Sequence, residues 1–299
     1  MPDPDAPRST DDLIARAAPG LFVVLWASGF VGAKFGLPYA EPMTFLCIRM
    51  AAAAGLLAVL ALATRPPWPT AGGFGHNIVA GLLVHGFYLG GVFIAISHGL
   101  PAGLAALVTG LQPILTSTLA NRFLGERVRP WQWVGLGLGL VGVWLVVHEK
   151  TGTGSVSLTA WIAITVALLG ITLGTLYQKR FGGGTDWRSA LMVQYAAAGI
   201  VFAAAAWLTE TRMVQWTADF IFAVGWLVLV LSLGAVWLFY FLIRRSAATQ
   251  VASLFYLVPP VTAVMAFGLF GERLAPLALV GMALCAGGVF LVNQRAASR

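Results

Sequence analysis

The chain has 299 residues, 59% of them hydrophobic and only 10% charged, against about 25% charged in an ordinary soluble domain. A water-soluble fold is excluded. The net charge of +7 does not imply nucleic acid either, because the basic residues collect on one side of a series of apolar spans.

A bilayer core about 30 Å thick asks for about 20 apolar residues per helix. Ten such segments follow one another, over 20–37, 43–63, 74–97, 102–122, 131–147, 158–179, 187–208, 220–243, 247–270 and 275–292. No length remains for a soluble domain.

Residues 1–19 are polar and Asp-rich, with Arg8 and Arg16 and no apolar run. A retained cytoplasmic tail is expected there rather than a cleaved signal peptide. The first span holds Trp26-Ala27-Ser28-Gly29-Phe30 and Lys34, and the second holds Cys47 and Arg49. At about 1.5 Å per residue, Lys34 lies roughly 21 Å above the inner end of its span and Arg49 roughly 9 Å below the outer end of the next. At that depth a long basic side chain either snorkels to the interface or lines a water-filled cavity and attracts a carboxylate. Of the two, Lys34 is taken as the stronger candidate. In the third span His85 and Tyr88 are three residues apart and share a helix face, where the imidazole meets either a neighbouring carbonyl or a substrate. Pro113 removes a hydrogen bond from the fourth span.

Gly137-Leu138-Gly139-Leu140-Val141-Gly142 matches the dinucleotide pattern GxGxxG. That fingerprint needs a preceding strand and a helix start, whereas these glycines lie in mid-span, where close helix approach explains them. Tyr177 and Gln194 add polar groups to the sixth and seventh spans. In the eighth, Trp237 and Tyr240 follow Trp226 by 11 and 14 residues, close to whole turns of 3.6 residues. An aromatic stripe is expected, with Trp226 and Tyr240 at the interfaces and Trp237 toward a cavity. The ninth span contributes Tyr256, Pro259 and Pro260. Cys47 and Cys285 lack CxxC or CxxH spacing, so packing is expected of them rather than a disulfide or a metal, and no cofactor is expected.

The chain is one unit written twice. At an offset of 146, Leu257, Pro259, Ala266, Gly271-Glu272-Arg273, Pro276, Gly281 and Gly288-Val289 land on Leu111, Pro113, Ala120, Gly125-Glu126-Arg127, Pro130, Gly135 and Gly142-Val143 without a gap. Upstream an offset of 145 places Gly174, Lys179, Leu191 and Ala196-Ala197-Ala198 on Gly29, Lys34, Leu46 and Ala51-Ala52-Ala53. Five spans per copy is an odd number, so the second copy enters the membrane from the opposite side. Two inverted five-helix repeats follow, with a binding site expected at their interface. Of 18 Lys and Arg residues, thirteen then fall on the side of the N-terminus, three opposite and two within spans, which puts both termini in the cytoplasm. The expected division is a tail over 1–19, a first repeat over 20–148, an external linker over 149–157, a second repeat over 158–293 and a tail over 294–299. Glu126 and Glu272 precede spans that start near Pro130 and Pro276, where an acid favours the helix N-terminus and Pro suits its first turn.

Ten spans in two halves, the Trp26-to-Phe30 run and the paired Gly-Glu-Arg and Pro positions together resemble the EamA branch of the drug/metabolite transporter superfamily. Within it the chain is most similar to the YddG-type exporters of aromatic amino acids. The resemblance implies an all-α polytopic protein of the inner membrane that exports aromatic and other neutral amino acids by alternating access. It implies a small-molecule partner and the lipid bilayer, with no nucleic acid and no obligate protein partner. Under this reading Lys34 attracts the carboxylate, and His85, Tyr88 and Gln194 hydrogen-bond polar groups. Trp26, Trp237 and Tyr256 pack on the side chain, and Pro113, Pro259 and Pro260 act as hinges. All eleven acidic residues fall in tails, loops or span ends, so downhill export is favoured over proton exchange on a mid-membrane carboxylate. A broader metabolite or drug exporter is the alternative on the same fold. An intramembrane enzyme would need a nucleophile and base or metal ligands converging at one depth, which these spans do not offer.

Overall fold

The computed structural model describes residues 10–100, 105, 108–147, 156–270 and 276–294, except the side chains of 10–16, Lys34, Ala266 and Phe270. Gly271-Glu272-Arg273, most of the 149–157 linker and all but one residue of the C-terminal tail lie outside the described residues. Within them the secondary structure is helical, with one isolated β-bridge between Ala40 and Val214. The helices are α1 (Thr10–Gly36), α2 (Pro42–Thr64), α3 (Ala71–Ser97), α4 (Gln112–Leu124), α5 (Pro130–Val147), α6 (Leu158–Phe181), α7 (Trp187–Thr209), α8 (Ala218–Arg245), α9 (Ala248–Leu269) and α10 (Pro276–Asn293). All but α4 are long and apolar enough over their described residues to cross a membrane. Leu62, Ile200 and Leu208 are more than 70% exposed, as befits helices whose outer faces meet lipid rather than water.

The packing follows a two-fold exchange of the repeats. Helix α2 lies along its own counterpart α7, and α5 along α10, while α1 packs on α8 and α9 just as α6 packs on α3 and α4. Each contact therefore has a partner with the halves swapped, as an axis in the membrane plane requires. The α5–α10 seam shows it at atomic scale. Gly135 faces Gly288 and Gly142 faces Gly281, and a methyl on any of the four would meet its partner's carbonyl oxygen at 2.5 to 2.7 Å. Only glycine allows backbones this close. The GxGxxG run is thus a packing surface: Gly139 lies against the Tyr256 ring and Gly142 against Cys285.

Helix irregularities recur at matched positions as well. A π-helical stretch occupies Leu82–Phe87 in α3, and another occupies Leu227–Ala235 in α8, starting at the equivalent residue of the other copy. Helix α9 passes through a 3₁₀ turn at Leu254–Leu257 before regular helix resumes at Val258. Its counterpart α4 starts at Gln112 after a turn at Gly110–Leu111. Pro113 and Pro259 are consequently second residues of regular helices, not interruptions within them, and a missing N–H costs little in a first turn. Pro260 follows directly.

Two termini depart from the sequence reading. Helix α1 begins at Thr10, ten residues before the expected start, and carries Pro19 inside it. Helix α5 does begin at Pro130, yet Glu126 serves a different helix: its carboxylate accepts the backbone N–H groups of Ala248 at 2.9 Å and Thr249 at 3.4 Å, at the start of α9. The chemistry expected of Glu126 is right and the helix is another. At the other end of the bundle Glu210 does the same for α2, taking the N–H groups of Met43 and Thr44, both at 2.7 Å. Glu41 in turn accepts from Thr211 and Arg212, and the Thr211 hydroxyl holds its carboxyl below the usual carboxylate range.

Candidate functional site

Between the halves lies a cavity of about 700 Å³. The first repeat contributes Trp26, Arg49, His85, Tyr88 and Gln112, and the second contributes Ile171, Leu231, Val236, Phe255 and Pro259. The cavity extends to Pro38, Ile96 and Val147 at the end of the bundle away from the N-terminus.

One wall is aromatic. Trp26 stacks on Tyr88 with ring centroids 6.5 Å apart and meets Phe255 edge-on at 5.2 Å, with Phe22 and Phe239 packed behind. Flat rings of this kind favour an aromatic or apolar guest. Another wall is polar and is positioned by the π stretches: that of α3 supplies His85 to the wall, and that of α8 supplies Ser232 behind it. Arg49 is 3% exposed and donates through Nε to Ser232 Oγ at 3.2 Å. The Ser232 carbonyl accepts the Tyr195 hydroxyl at 2.6 Å, and the Tyr195 ring packs on the His85 imidazole at 4.7 Å. Among the described residues that border the cavity there is no carboxylate.

Two cavity groups hold unused hydrogen-bonding capacity although buried: His85 Nε2 and Gln112 Oε1 have no partner among the described residues. Gln112 is fixed from its other end, since its Nε2 donates to Thr116 Oγ1 at 3.2 Å and Thr175 Oγ1 at 3.5 Å.

The opposite end is closed by a second polar group. Gln194 Nε2 donates to Asn77 Oδ1 at 3.1 Å, to Gln178 Oε1 at 3.2 Å and to the Tyr240 hydroxyl, which donates to Gln178 Oε1 at 2.8 Å. Below it Lys179 Nζ donates to the carbonyls of Ile243 at 2.8 Å and Ser246 at 2.7 Å. A cation there also suits the negative end of α8. Arg180 reaches the Phe123 carbonyl and Arg244 those of Gly182 and Thr185, so α4, α6 and α8 are tied together at this face.

Of the residues singled out in the sequence, Trp26, His85, Tyr88 and Pro259 border the cavity. The Lys34 side chain lies outside the described residues, although its helix supplies Val31, Ala33 and Leu37 to the wall. Gln194 does not border the cavity but belongs to the closed end. The Cα of Gln194 sits against Gly81 of α3, which turns its amide toward Asn77 and Gln178. Trp237 is half-buried and packs on Trp187 and Phe241 instead. Tyr256 is fully buried against Gly139 and Cys285, with no partner for its hydroxyl among the described residues. Pro113 and Pro260 lie off the cavity wall. Tyr240 is no interfacial anchor but a buried member of the closed end, and Trp226 donates to Ser28 Oγ at 3.0 Å. The expected stripe fails for a plain reason: the π stretch between Trp226 and Trp237 has wider turns, so counting in steps of 3.6 gives the wrong face. Sequence reasoning did not single out Gln112 and Phe255, and it placed Arg49 behind Lys34; all three of Gln112, Phe255 and Arg49 border the cavity. Gln112 was readable as a lone amide in an apolar span, which by default marks a functional position.

An inverted repeat of apolar helices around a polar and aromatic cavity, reaching one end of the bundle and closed at the other, defines a membrane transporter. The chain belongs to the EamA-like transporter family, whose model matches residues 20–148 and again 157–294. It is 31% identical to a probable terminal-alkyne amino-acid exporter of Streptantibioticus cattleyicolor, over 93% of each chain. It is 24% identical to a probable amino-acid metabolite efflux pump of Escherichia coli (strain K12), over 91% of this chain and 92% of that one. The uncharacterized inner membrane transporter YedA of the same organism is 26% identical over 90% and 87%. A solved crystal structure shares the fold, with a TM-score of 0.77 at 19% identity over 95% of this chain and 97% of that one.

Proposed function

We propose that this protein exports amino acids, aromatic and other neutral ones foremost, across the cytoplasmic membrane by alternating access. The observation that carries the reading is the cavity itself, where an aromatic wall meets a buried cation and no described carboxylate borders it. Rings accommodate an apolar side chain, and a cation at this depth that meets no carboxylate among the described residues calls for an anionic group. The names of the relatives in Streptantibioticus and Escherichia support an amino-acid substrate and efflux, and YedA supports the inner membrane. With both termini in the cytoplasm, as the basic residues favour, the cavity faces outward and Lys179 and Gln194 belong to the cytoplasmic closure. A cavity wall lacking a carboxylate favours downhill export over proton exchange on an acid. The helix starts at Pro113 and Pro259-Pro260, matched across the copies, are the proposed hinges, and residues 20–148 and 158–293 the units that rock.

Purified protein in liposomes should take up [14C]phenylalanine or [14C]tryptophan down its gradient, saturably and above empty liposomes. Absence of flux above that control for either amino acid overturns the reading.

A further inference from the structure

We infer that this cavity reads both charged ends of its substrate, with Arg49 taking the carboxylate and the Gln112 carbonyl taking the ammonium. The inference rests on the proposed amino-acid transport and assigns its selectivity to two side chains.

Arg49 is a buried guanidinium on the cavity wall whose single hydrogen bond among the described residues goes from Nε to the neutral Ser232 Oγ. A guanidinium presents five N–H donors in a planar fork that fits a carboxylate through two of them, so most of its donor capacity is unspent. Ser232 holds the guanidinium from the far side, and the Tyr195 hydroxyl on the Ser232 carbonyl fixes Ser232 in turn. His85 lies against Tyr195 with Nε2 unpartnered and supplies a further hydrogen bond on the same wall.

Gln112 is 1% exposed, and its orientation follows from its neighbours. The Thr175 hydroxyl gives its only hydrogen to the Ile171 carbonyl at 2.7 Å, so toward Gln112 it can only accept. The amide nitrogen must therefore face Thr175, which leaves Oε1, at the other end of the amide, with no partner among the described residues. A buried carbonyl oxygen without a donor costs about 1–3 kcal/mol, and an ammonium is the donor a zwitterion brings. The two anchors also agree in depth. At about 1.5 Å per residue, Arg49 lies about 10 Å below the outer end of α2 and Gln112 about 18 Å above the inner end of α4, which is about 12 Å below the outer side of a core about 30 Å thick. An acceptor that is neutral, not acidic, suits a substrate that carries its own negative charge a few bonds away.

The test is counterflow of [14C]phenylalanine in liposomes, with 3-phenylpropionate, which lacks the ammonium, and phenethylamine, which lacks the carboxylate, as competitors. Wild type should prefer phenylalanine over either by about a hundredfold or more, the penalty for leaving a built hydrogen-bonding site unpaired. Gln112→Leu should bind phenylalanine more weakly and lose its preference over 3-phenylpropionate, whereas Gln112→Glu should keep that preference. Arg49→Gln should lose phenylalanine flux and Arg49→Lys should retain part of it, all four variants eluting as wild type on size exclusion. Wild-type flux in Arg49→Gln, unchanged discrimination in Gln112→Leu, or equal competition by 3-phenylpropionate in wild type overturns the inference while leaving amino-acid transport standing. If wild type shows no amino-acid flux at all, the transport reading falls first.

Discussion

The two halves of this chain are alike in backbone and unlike in chemistry, and the difference sorts by depth. The first half places Arg49, His85, Tyr88 and Gln112 on the open cavity, where the equivalent residues of the second half include Gln194 for Arg49 and Val258 for Gln112. The second half places Gln178, Lys179 and Tyr240 at the closed end, where the first half has Ala33, Lys34 and Ala95. Glycine seams, π stretches and proline-led helix starts are kept in both copies. Duplication supplied a symmetric scaffold, and divergence then gave recognition to one copy and closure to the other.

The largest effect should come from breaking the symmetric part. Gly142→Val and Gly281→Val each drive a branched side chain onto a carbonyl oxygen that a mere Cβ would already meet at 2.6 Å. Overpacking of this kind costs about 1–3 kcal/mol or more, so both should lower the melting temperature in detergent severely. Because each glycine is the other's neighbour, the two drops should be nearly equal, and a clear inequality would contradict the two-fold seam. Next comes the asymmetric closed end. Gln194→Leu strands Asn77 Oδ1 and removes a donor from Gln178, and Lys179→Met strands two carbonyls; a stranded buried group costs about 1–3 kcal/mol. Both should open this end, read as faster thiol labelling of a Ser253→Cys reporter in a chain lacking Cys47 and Cys285. Labelling at the unmodified rate would show that these contacts do not hold the closure. The smallest effect is expected at the helix starts, where Glu126→Gln weakens the charge-assisted cap on α9 by about 0.3–1 kcal/mol. Its mirror, Glu210→Gln on α2, should cost about as much in the same melting assay.

Ten spans, two copies and their inversion were legible in the sequence because bilayer thickness and an odd span count leave few alternatives. The role of the mid-span glycines was legible too, since a run of small residues inside an apolar helix has one common use. The site was read in part. Trp26, His85 and Tyr88 border the cavity, whereas Gln194, Trp237 and Tyr256 lie off its wall. For Trp237 and Tyr256 the cause is local helix geometry, since π and 3₁₀ turns in α8 and α9 shift the phase without leaving a mark in the composition; Gln194 lies in the regular helix α7 and is held by Asn77 and Gln178. Glu126 illustrates another limit. Its preference for a helix N-terminus is local chemistry, but the choice between α5 and α9 is made by tertiary packing.

The seam between α5 and α10 also accounts for where the duplication is still visible. The residues that superpose without a gap, from Leu111 to Val146 on Leu257 to Val292, include the helices that pack against their own copies, and so do the matched alanines of α2 and α7. In such a seam a residue's neighbour is the duplicate of the surface it belongs to, so a change in one copy disturbs both. Helices α3 and α8 pack on unlike partners and have drifted apart in sequence while keeping the same bend. Self-contact between the copies acts as a proofreader of the ancient duplication, and resemblance has faded where a helix packs on something other than its own counterpart.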